Sequence, residues 1–547
     1  MSNRFLFELG TEEIPASMIP TALQQLKAAF GSLFAEYAVK CDELTAHCTP
    51  RRLAIIARGL PGRSPDKEEV VSGPPKSVAF GPDGQPSKAA EGFARKQGVV
   101  VEDLEVLATD RGEYLALRRL VKGDPLPEIL GTSIPGIIAS VSWPKNMYWR
   151  ESRFRFIRPL RWYVCLWNDT EIDFEFEGVR SGRMTRGHRL LGDTDAPVKD
   201  VDDYLACLEE NFVLADSAVR KKRIVEGLEG EAGNLQVRQD DELLETVVYL
   251  NEYPTVLKGD FEESFLQIPE EVLVTVMRFH QKYFSLVDGD GRLASSFLTV
   301  TNTNGDPDGG IRKGHEKVLQ ARLEDAAFFW ETDQKQLLKE RVPHLEHVLF
   351  QERLGSYLDK TERLRNICRG LGGGEGLETA ALLCKADLTT DMVREFPELQ
   401  GIMGGLYARQ EGYPEATWRA VYDHYKPVAL DDALPETETG VLLSIADRID
   451  TIVGCIGVDM LPSGSSDPFG LRRQAQGLVS LLLSSALEVP MVELIGMAQR
   501  EFSTEKPDAQ ILEEVRSFLE KRVKYIFQRK GLSHDVLRAV MSGGITT

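Results

Sequence analysis

The spacing of apolar positions changes near residue 315, and that change divides the chain. Before it, short apolar runs alternate with turns. Phe5-Leu-Phe-Glu-Leu predicts a first strand, and Thr11-Glu-Glu with Pro20 fits the start of a helix. Leu23, Leu26, Phe30, Leu33 and Phe34 would form one face of that helix. Glu43 to Leu60 predicts two strands hinged near Thr49-Pro50. Residues 61–88 carry Pro61, Pro65, Pro74, Pro75, Pro82 and Pro86, which predicts a loop-rich connection or an extended excursion. Lys88 to Gly98 predicts a short helix closed by its glycine. Residues 112–150 read as strand-like runs between turns, and 151–305 as mixed α and β. Asp288-Gly-Asp-Gly between two apolar runs, Tyr283 to Val287 and Leu293 to Val300, is a hairpin signal.

Beyond residue 315 helical periodicity dominates, over 316–340, 344–369, 377–396, 417–424, 439–458, 468–487 and 491–540. Gly370-Leu-Gly-Gly-Gly-Glu-Gly reads as a linker, because a phosphate loop needs a preceding strand and a following Lys-Ser/Thr. The expected fold class is α+β multidomain, with a mixed α/β N-terminal half and an all-α C-terminal half. The expected domains are 1–140, 141–315, 316–475 and 476–547.

Charge narrows the partners. The 547 residues hold 65 Lys and Arg against 85 Asp and Glu, a formal net charge of −20. Any nucleic-acid site must therefore be a basic patch on an acidic body. Seven scattered cysteines without a Cys-x-x-Cys pair point to a reducing, cytoplasmic compartment. Glu8 comes too early for a signal peptide, and no apolar run nears the ~18 residues of a membrane helix, so no membrane association is expected.

The chain lacks a Gly-x-x-x-x-Gly-Lys-Ser/Thr loop, a His-Glu-x-x-His pair, a Gly-x-Ser-x-Gly elbow and a kinase signature. This favours a chain that binds over one that performs chemistry, so no catalytic residue and no metal ligand is assigned. His344 and His347 are spaced to share a metal on a helix but have no completing ligand, and read as surface or groove histidines.

The strongest constellation lies at 143–189, where Arg150, Arg153, Arg155, Arg158, Arg161, Arg180, Arg183, Arg186 and Arg189 crowd among aromatics. Guanidinium forks suit phosphate oxygens, and interleaved rings can stack on bases. The alternative pairs these arginines with Glu171, Asp173, Glu175 and Glu177 around a core of Phe154, Phe156, Trp162 and Trp167. In Thr49-Pro-Arg-Arg-Leu the adjacent arginines should point to opposite faces of a strand, one free for a ligand and the other a surface charge. Lys385-Ala-Asp-Leu-Thr-Thr-Asp on one helix and Ala446-Asp-Arg-Ile-Asp on another resemble a histidine–aspartate (HD) phosphohydrolase core. The dyad position reads Ala386-Asp387, so a metal should bind poorly there. Asp467 is expected to cap a helix starting at Pro468, with Arg472 and Arg473 in its first turns held by a salt bridge or facing an anion. Lys521-Arg-Val-Lys-Tyr-Ile-Phe-Gln-Arg-Lys reads as a basic amphipathic helix, solvated or facing RNA.

Several stretches together resemble the beta subunit of bacterial heterotetrameric glycyl-tRNA synthetase. They are Phe7-Glu-Leu-Gly-Thr-Glu-Glu-Ile-Pro-Ala, Thr49-Pro-Arg-Arg-Leu, Gly73-Pro-Pro-Lys-Ser-Val-Ala-Phe, the run from Lys88 to Gly98, Phe156-Ile-Arg-Pro-Leu-Arg-Trp and Thr185-Arg-Gly-His-Arg. His280-Gln-Lys-Tyr-Phe, the run from Glu316 to Phe329, Lys385-Ala-Asp-Leu and Asp467-Pro-Phe-Gly-Leu-Arg-Arg follow in order. The resemblance implies a division of labour. A separate alpha subunit activates glycine with ATP and Mg, while the beta chain binds tRNA-Gly and alpha in an assembly of two alpha and two beta chains, with no cofactor of its own and no DNA partner. It also implies that 141–315 is similar to part of the phenylalanyl-tRNA synthetase beta chain, that 316–475 is a degenerate HD-like domain, and that 476–547 begins an anticodon-binding domain. The chain stops at Thr547, and Met541-Ser-Gly-Gly-Ile-Thr-Thr reads as a loop, so anticodon contacts are expected to be weak or absent. His315 stands where the family is expected to have Asn and is given no role. Arg158, Arg161, Arg183, Arg186 and Arg189 are the expected phosphate contacts, followed by Lys521, Arg522 and Lys524. Two rival readings are a metal-dependent phosphohydrolase and a scaffold that scarcely touches RNA.

Overall fold

The computed structural model describes residues 2–541 apart from 82–83, 110–111, 465, 486 and 488. The ending read as a loop lies outside the described residues from 542 onward, and so does Pro82. The fold is mixed α/β with its helices concentrated in the C-terminal part. The chain forms two compact units, Met1–Gly259 with Leu286–Asp290 and Leu298–Arg312, and Asp260–Ser285 with Gly291–Phe297 and Lys313–Thr547.

The first unit is built on a sheet in the order Glu175–Phe176, Val179–Gly182, Leu160–Trp167, Asn3–Thr11, Arg52–Leu60, Glu43–Thr49. All pairings are antiparallel except that of Val179–Gly182 with Leu160–Trp167. Asn3–Thr11 lies in the middle and is covered on both faces, which is why it reads as a continuous apolar run. Phe5, Phe7 and Leu9 pack under the helices Ile19–Glu36 and Leu126–Ser140, while Leu6 packs on the opposite face with Tyr204 and Leu208. Ile19–Glu36 begins with proline in its first turn and buries Leu26, Phe30, Leu33 and Phe34, as its spacing predicts, while Leu23 of the same predicted face is half-buried.

Three expectations need correction. Residues 61–88 hold a strand, Lys67–Pro75, which is an exposed edge with little apolar alternation to betray it. Residues 112–150 are not all strand and turn: Leu126–Ser140 is a helix whose stripe is Leu126, Ile129, Leu130, Ile134, Ile137 and Ile138. Its β-branched residues, Gly131 and Pro135 mask that period. The helix drawn over 344–369 begins only at Tyr357, after two short strands, and Ser356 caps it. The predicted linker at Gly370 is a three-residue turn between Tyr357–Gly370 and Gly374–Leu383.

The second unit packs around Glu438–Gly457, a helix buried on nearly every side. Around it lie Tyr357–Gly370, Gly374–Leu383, Glu415–Asp423, Leu471–Ser484 and Asp508–Arg529, sharing one apolar core. A helix buried all round belongs at the centre of a bundle, and the charges this one carries, Asp447, Arg448 and Asp450, must find partners there. Among the described residues, no helix is long and apolar enough to cross a membrane.

Candidate nucleic-acid interface

The segment after Val179–Gly182 is extended, and Met184–Thr185 pairs with Ala196–Pro197. The three-residue recurrence of Arg183, Arg186 and Arg189 is therefore not a helical stripe, and each side chain has its own surroundings. Arg183 folds back on Glu171, at 2.6 Å, and on the carbonyls of Asp169 and Lys199. Arg180 pairs with Asp173 in two bonds of 2.7 Å. For these two the alternative of acidic partners holds. Arg186 instead lies over the ring of Trp162, 4.9 Å from its centroid, and has no carboxylate partner among the described residues. Arg189 and Arg161 converge on Glu12 at 3.0 and 2.8 Å. Burial would raise the Glu12 carboxyl, but the two guanidiniums hold it below the usual range. Arg158 bonds the Glu13 carbonyl at 2.8 Å.

Arg161, Arg186 and Arg189 thus gather around one cavity of about 350 Å³, with Thr11, Arg51, Trp162 and His188 in its wall and Glu12 as the sole carboxylate lining it. A pocket with three half-exposed guanidiniums, an indole and one acid is suited to a phosphate-bearing ligand.

Below this cavity lies a network absent from the sequence reading. Arg51 and Arg52 do not diverge to solvent. Both are buried and bond Glu252, through 2.7 and 3.1 Å contacts from Arg51 and 3.2 Å from Arg52. The reason is local: Pro50 and Arg51 form a turn before the strand begins at Arg52, so strand alternation does not apply to the pair. Glu252 also accepts from the Thr49 hydroxyl at 2.8 Å. Burial would raise the Glu252 carboxyl, yet Arg52 and Arg51 hold it low. Arg52 faces Glu8 at 3.6 Å, and Glu8 accepts from Thr185 at 2.8 Å and from the Trp162 indole.

The outer ends of both arginines grip the loop. Arg52 donates to the Arg186 carbonyl and Arg51 to the Gly187 carbonyl, each at 2.7 Å. A side chain at Gly187 would sit 2.8 Å from the Asp193 carbonyl, so the loop closes only on glycine. Buried charge therefore positions the exposed charge. Glu8 and Glu252 were missed as site residues. The available signal was a charged residue inside an apolar strand, Phe7-Glu-Leu, which requires an opposite partner.

Of the second group of candidates, Lys521 and Lys524 are exposed on the helix Asp508–Arg529. Arg522 is half-buried, 5.6 Å from the Phe518 ring, and burial with the nearby Arg472 charge pulls its pKa down. Arg472 and Arg473 make no salt bridge among the described residues. Arg472 donates to the Gly464 carbonyl, and the helix starts at Leu471, not Pro468, with Asp467 accepting from the Leu471 and Arg472 amides. His344 and His347 are exposed on a 3-10 turn.

The carboxylates of Lys385-Ala-Asp and Asp-Arg-Ile-Asp are deep in the second unit. Lys385 precedes a 3-10 turn, Ala386–Thr389, so the motif is not one helix. The Lys385 ammonium sits between Asp447, at 2.7 Å, and His424 Nε2, at 3.0 Å. Lys360 bonds Asp450 at 2.7 Å and lies 2.9 Å from Asp447, and Arg363 bonds Asp450 at 2.7 Å. Lysine ammonium groups thus supply the cationic charge next to Asp447. Among the described residues no cluster of three His, Cys, Asp or Glu is placed to hold a metal ion.

Two groups here act oppositely on acid stability. Burial, helped by Lys385, pushes His424 down to about 3 from an ordinary 6.5. Burial pushes Asp387 up to about 6, against donation from the Gly401 and Gly404 amides. Below pH 6.5 the unfolded histidine takes a proton that the folded one refuses, so stability falls by up to about 1.4 kcal/mol per pH unit. Between the folded and ordinary values of Asp387, about 6 and 3.8, the folded carboxyl takes the extra proton, and stability rises as pH falls. The two slopes offset one another over that window. Asp387→Asn should remove one of them, so that the urea midpoint of the helical unit drops steadily from pH 6.5 to about 4 while the wild type stays level. Parallel profiles would refute the opposed titration.

The family profile described as glycyl-tRNA synthetase beta subunit matches residues 5–542. Proteins named glycine–tRNA ligase beta subunit are similar along nearly the whole chain. That of Geobacter sulfurreducens is 41% identical over 99% of this chain and 80% of its own length. That of Picosynechococcus is 40% identical over 98% and 78%, and that of Acidobacterium capsulatum 42% over 99% and 79%. The chain is a component of an aminoacyl-tRNA synthetase. It belongs to the beta-subunit family of glycyl-tRNA synthetase, and its role is in the formation of glycyl-tRNA.

Proposed function

We propose that this chain binds tRNA-Gly through the cavity rimmed by Arg161, Arg186 and Arg189, and holds the tRNA for an alpha subunit that activates glycine with ATP and Mg. The supporting observation is that three guanidiniums share one cavity with a single lining carboxylate, on a chain of net charge −20. Arg158 and Arg183 flank this surface, and Lys521, Arg522 and Lys524 form a second contact. The reaction joins glycine to tRNA with conversion of ATP to AMP and pyrophosphate. In this reading the beta chain contributes no nucleophile, base, metal or cofactor. The assembly is two alpha and two beta chains in the cytoplasm, with domains 1–140, 141–315, 316–475 and 476–547. The helical part is a degenerate HD-like domain, and the ammonium of Lys385 stands for the cation a metal would supply.

The test is tRNA-Gly binding across a salt series, with and without a cognate alpha subunit. Arg186→Ala and Arg189→Ala should each weaken binding and lower the slope of log K against log salt by roughly one ion. Arg186 should have the larger effect, because no carboxylate competes for it. If affinity and slope are both unchanged while alpha binding falls, the arginines form a subunit interface and the tRNA assignment is wrong.

A further inference from the structure

The second unit contains a cavity of about 520 Å³ that the tRNA reading does not use. That is within the roughly 300–1,000 Å³ of small-molecule sites. Tyr422, Tyr425 and Phe469 provide aromatic walls, and Lys426, Arg448 and Arg473 provide charge.

Arg448 is buried, yet every acceptor bonded to it is neutral. Its donors reach the Ser444 hydroxyl at 3.2 Å, the Gln474 amide oxygen at 2.9 Å and the carbonyls of Tyr425 and Pro427 at 2.8 Å each. Burial lowers its pKa to about 10, which leaves it a full cation at neutral pH. Asp447, next in sequence, is already engaged by Lys360 and Lys385. Among the described residues of this unit, five buried cations, Arg341, Lys360, Arg363, Lys385 and Arg448, stand against five buried carboxylates, Asp333, Asp387, Asp423, Asp447 and Asp450. Asp387, raised to about 6, is partly protonated just below neutrality. Arg341, Lys360, Arg363 and Lys385 each meet a carboxylate, which leaves Arg448 as the buried cation without one among the described residues, and a buried charge calls for a counter-charge.

The rim repeats the pattern. Arg473 is exposed and has no ion pair among the described residues. Lys426 is held by Asp423 at 2.9 Å. Of the two lining carboxylates, Asp432 accepts from the Val428 and Ala433 amides and Glu398 is exposed. We propose that this cavity binds a nucleoside phosphate, with the phosphate between Arg448 and Arg473 and the base among Tyr422, Tyr425 and Phe469. Arg448 keeps one N–H beyond its four bonds together with its charge, Arg473 adds an exposed guanidinium, and the rings offer faces for a planar base.

Equilibrium dialysis of the full chain with AMP tests this directly. AMP should bind saturably, inorganic phosphate should compete with it, and adenosine should bind at least tenfold more weakly. Arg473→Glu, at an exposed position without an ion pair, should keep the thermal midpoint and weaken AMP roughly tenfold or more. Arg186→Ala, in the other unit, should leave AMP binding unchanged. The cavity assignment is therefore separable from the tRNA reading. A short single-stranded RNA that displaces AMP would identify the nucleotide as part of an RNA, and one that does not would identify it as free. Either result supports the site. Absence of saturable AMP binding, or binding indifferent to Arg473→Glu, would overturn it.

Discussion

Glu252→Ala is expected to lower the opening free energy of the strand Arg52–Leu60 by about 3–5 kcal/mol, the cost of breaking a buried ion pair from one side. The variant leaves Arg51 and Arg52 buried with only Glu8, 3.6 Å from Arg52, as a nearby carboxylate. Thr49 loses its acceptor as well. Hydrogen exchange of the strand amides should quicken by two to four orders of magnitude, at about 1.4 kcal/mol per tenfold. A second effect follows from the outward bonds of the same arginines. They hold the carbonyls of Arg186 and Gly187, so the loop carrying Arg186 and Arg189 should lose its set position. tRNA-Gly affinity should drop although neither exposed arginine is altered. Glu252→Gln, which keeps the shape and loses the charge, should fall between alanine and wild type. If exchange of Arg52–Leu60 quickens in Glu252→Ala with tRNA affinity intact, the network is a folding device only.

The pH dependence runs in a set direction. Glu252 is held below its ordinary value of 4.5, so its contribution is complete above that pH and is lost as pH falls through the lower folded value. Glu12, pulled down by Arg161 and Arg189, adds a smaller loss of the same sign, discounted because solvent reaches about a third of its side chain, 36%.

What could be read from sequence depended on the range of the interaction. The first strand, the helix Ile19–Glu36 and the hinge at Thr49-Pro50 are local patterns, and each stands where its spacing places it. The clustering of Arg161, Arg186 and Arg189 was also legible, since like charges crowded into an acidic chain need a reason. Their sorting was not. Arg183 and Arg180 are tied to Glu171 and Asp173, whereas Arg186 rests on an indole, and only the strand pairing of Leu160–Trp167 with Val179–Gly182 decides this. Glu8 and Glu252 meet Arg52 across large stretches of chain, which no periodicity encodes. The helix Leu126–Ser140 was hidden by β-branched residues and Pro135, where burial overrides weak propensity.

Asp447→Ala is the counterpart in the helical unit, and its sign with pH separates charge from packing. In the wild type, burial alone would lower the Lys360 and Lys385 ammonium groups, but Asp447 holds both above the ordinary 10.5. Their contribution is therefore full below pH 10.5 and is lost as pH rises through the folded values. Removing Asp447 leaves Lys385 with His424 at 3.0 Å and no carboxylate bond, and leaves Lys360 with Asp450 as its one carboxylate beside the Thr451 hydroxyl at 2.8 Å. The expected loss at pH 7 is again about 3–5 kcal/mol, seen as a lower urea midpoint for the helical unit. Lys385 has one escape, which is to shed its proton. Its folded value in the variant should lie below 10.5, so raising the pH towards 10.5 stabilises the variant while the wild type stays level. The gap between the two should therefore narrow steadily from pH 7 to pH 10. A gap that stays constant over that range would trace the loss to the cavity left by the side chain, and the ammonium groups would not be the charge that Asp447 serves.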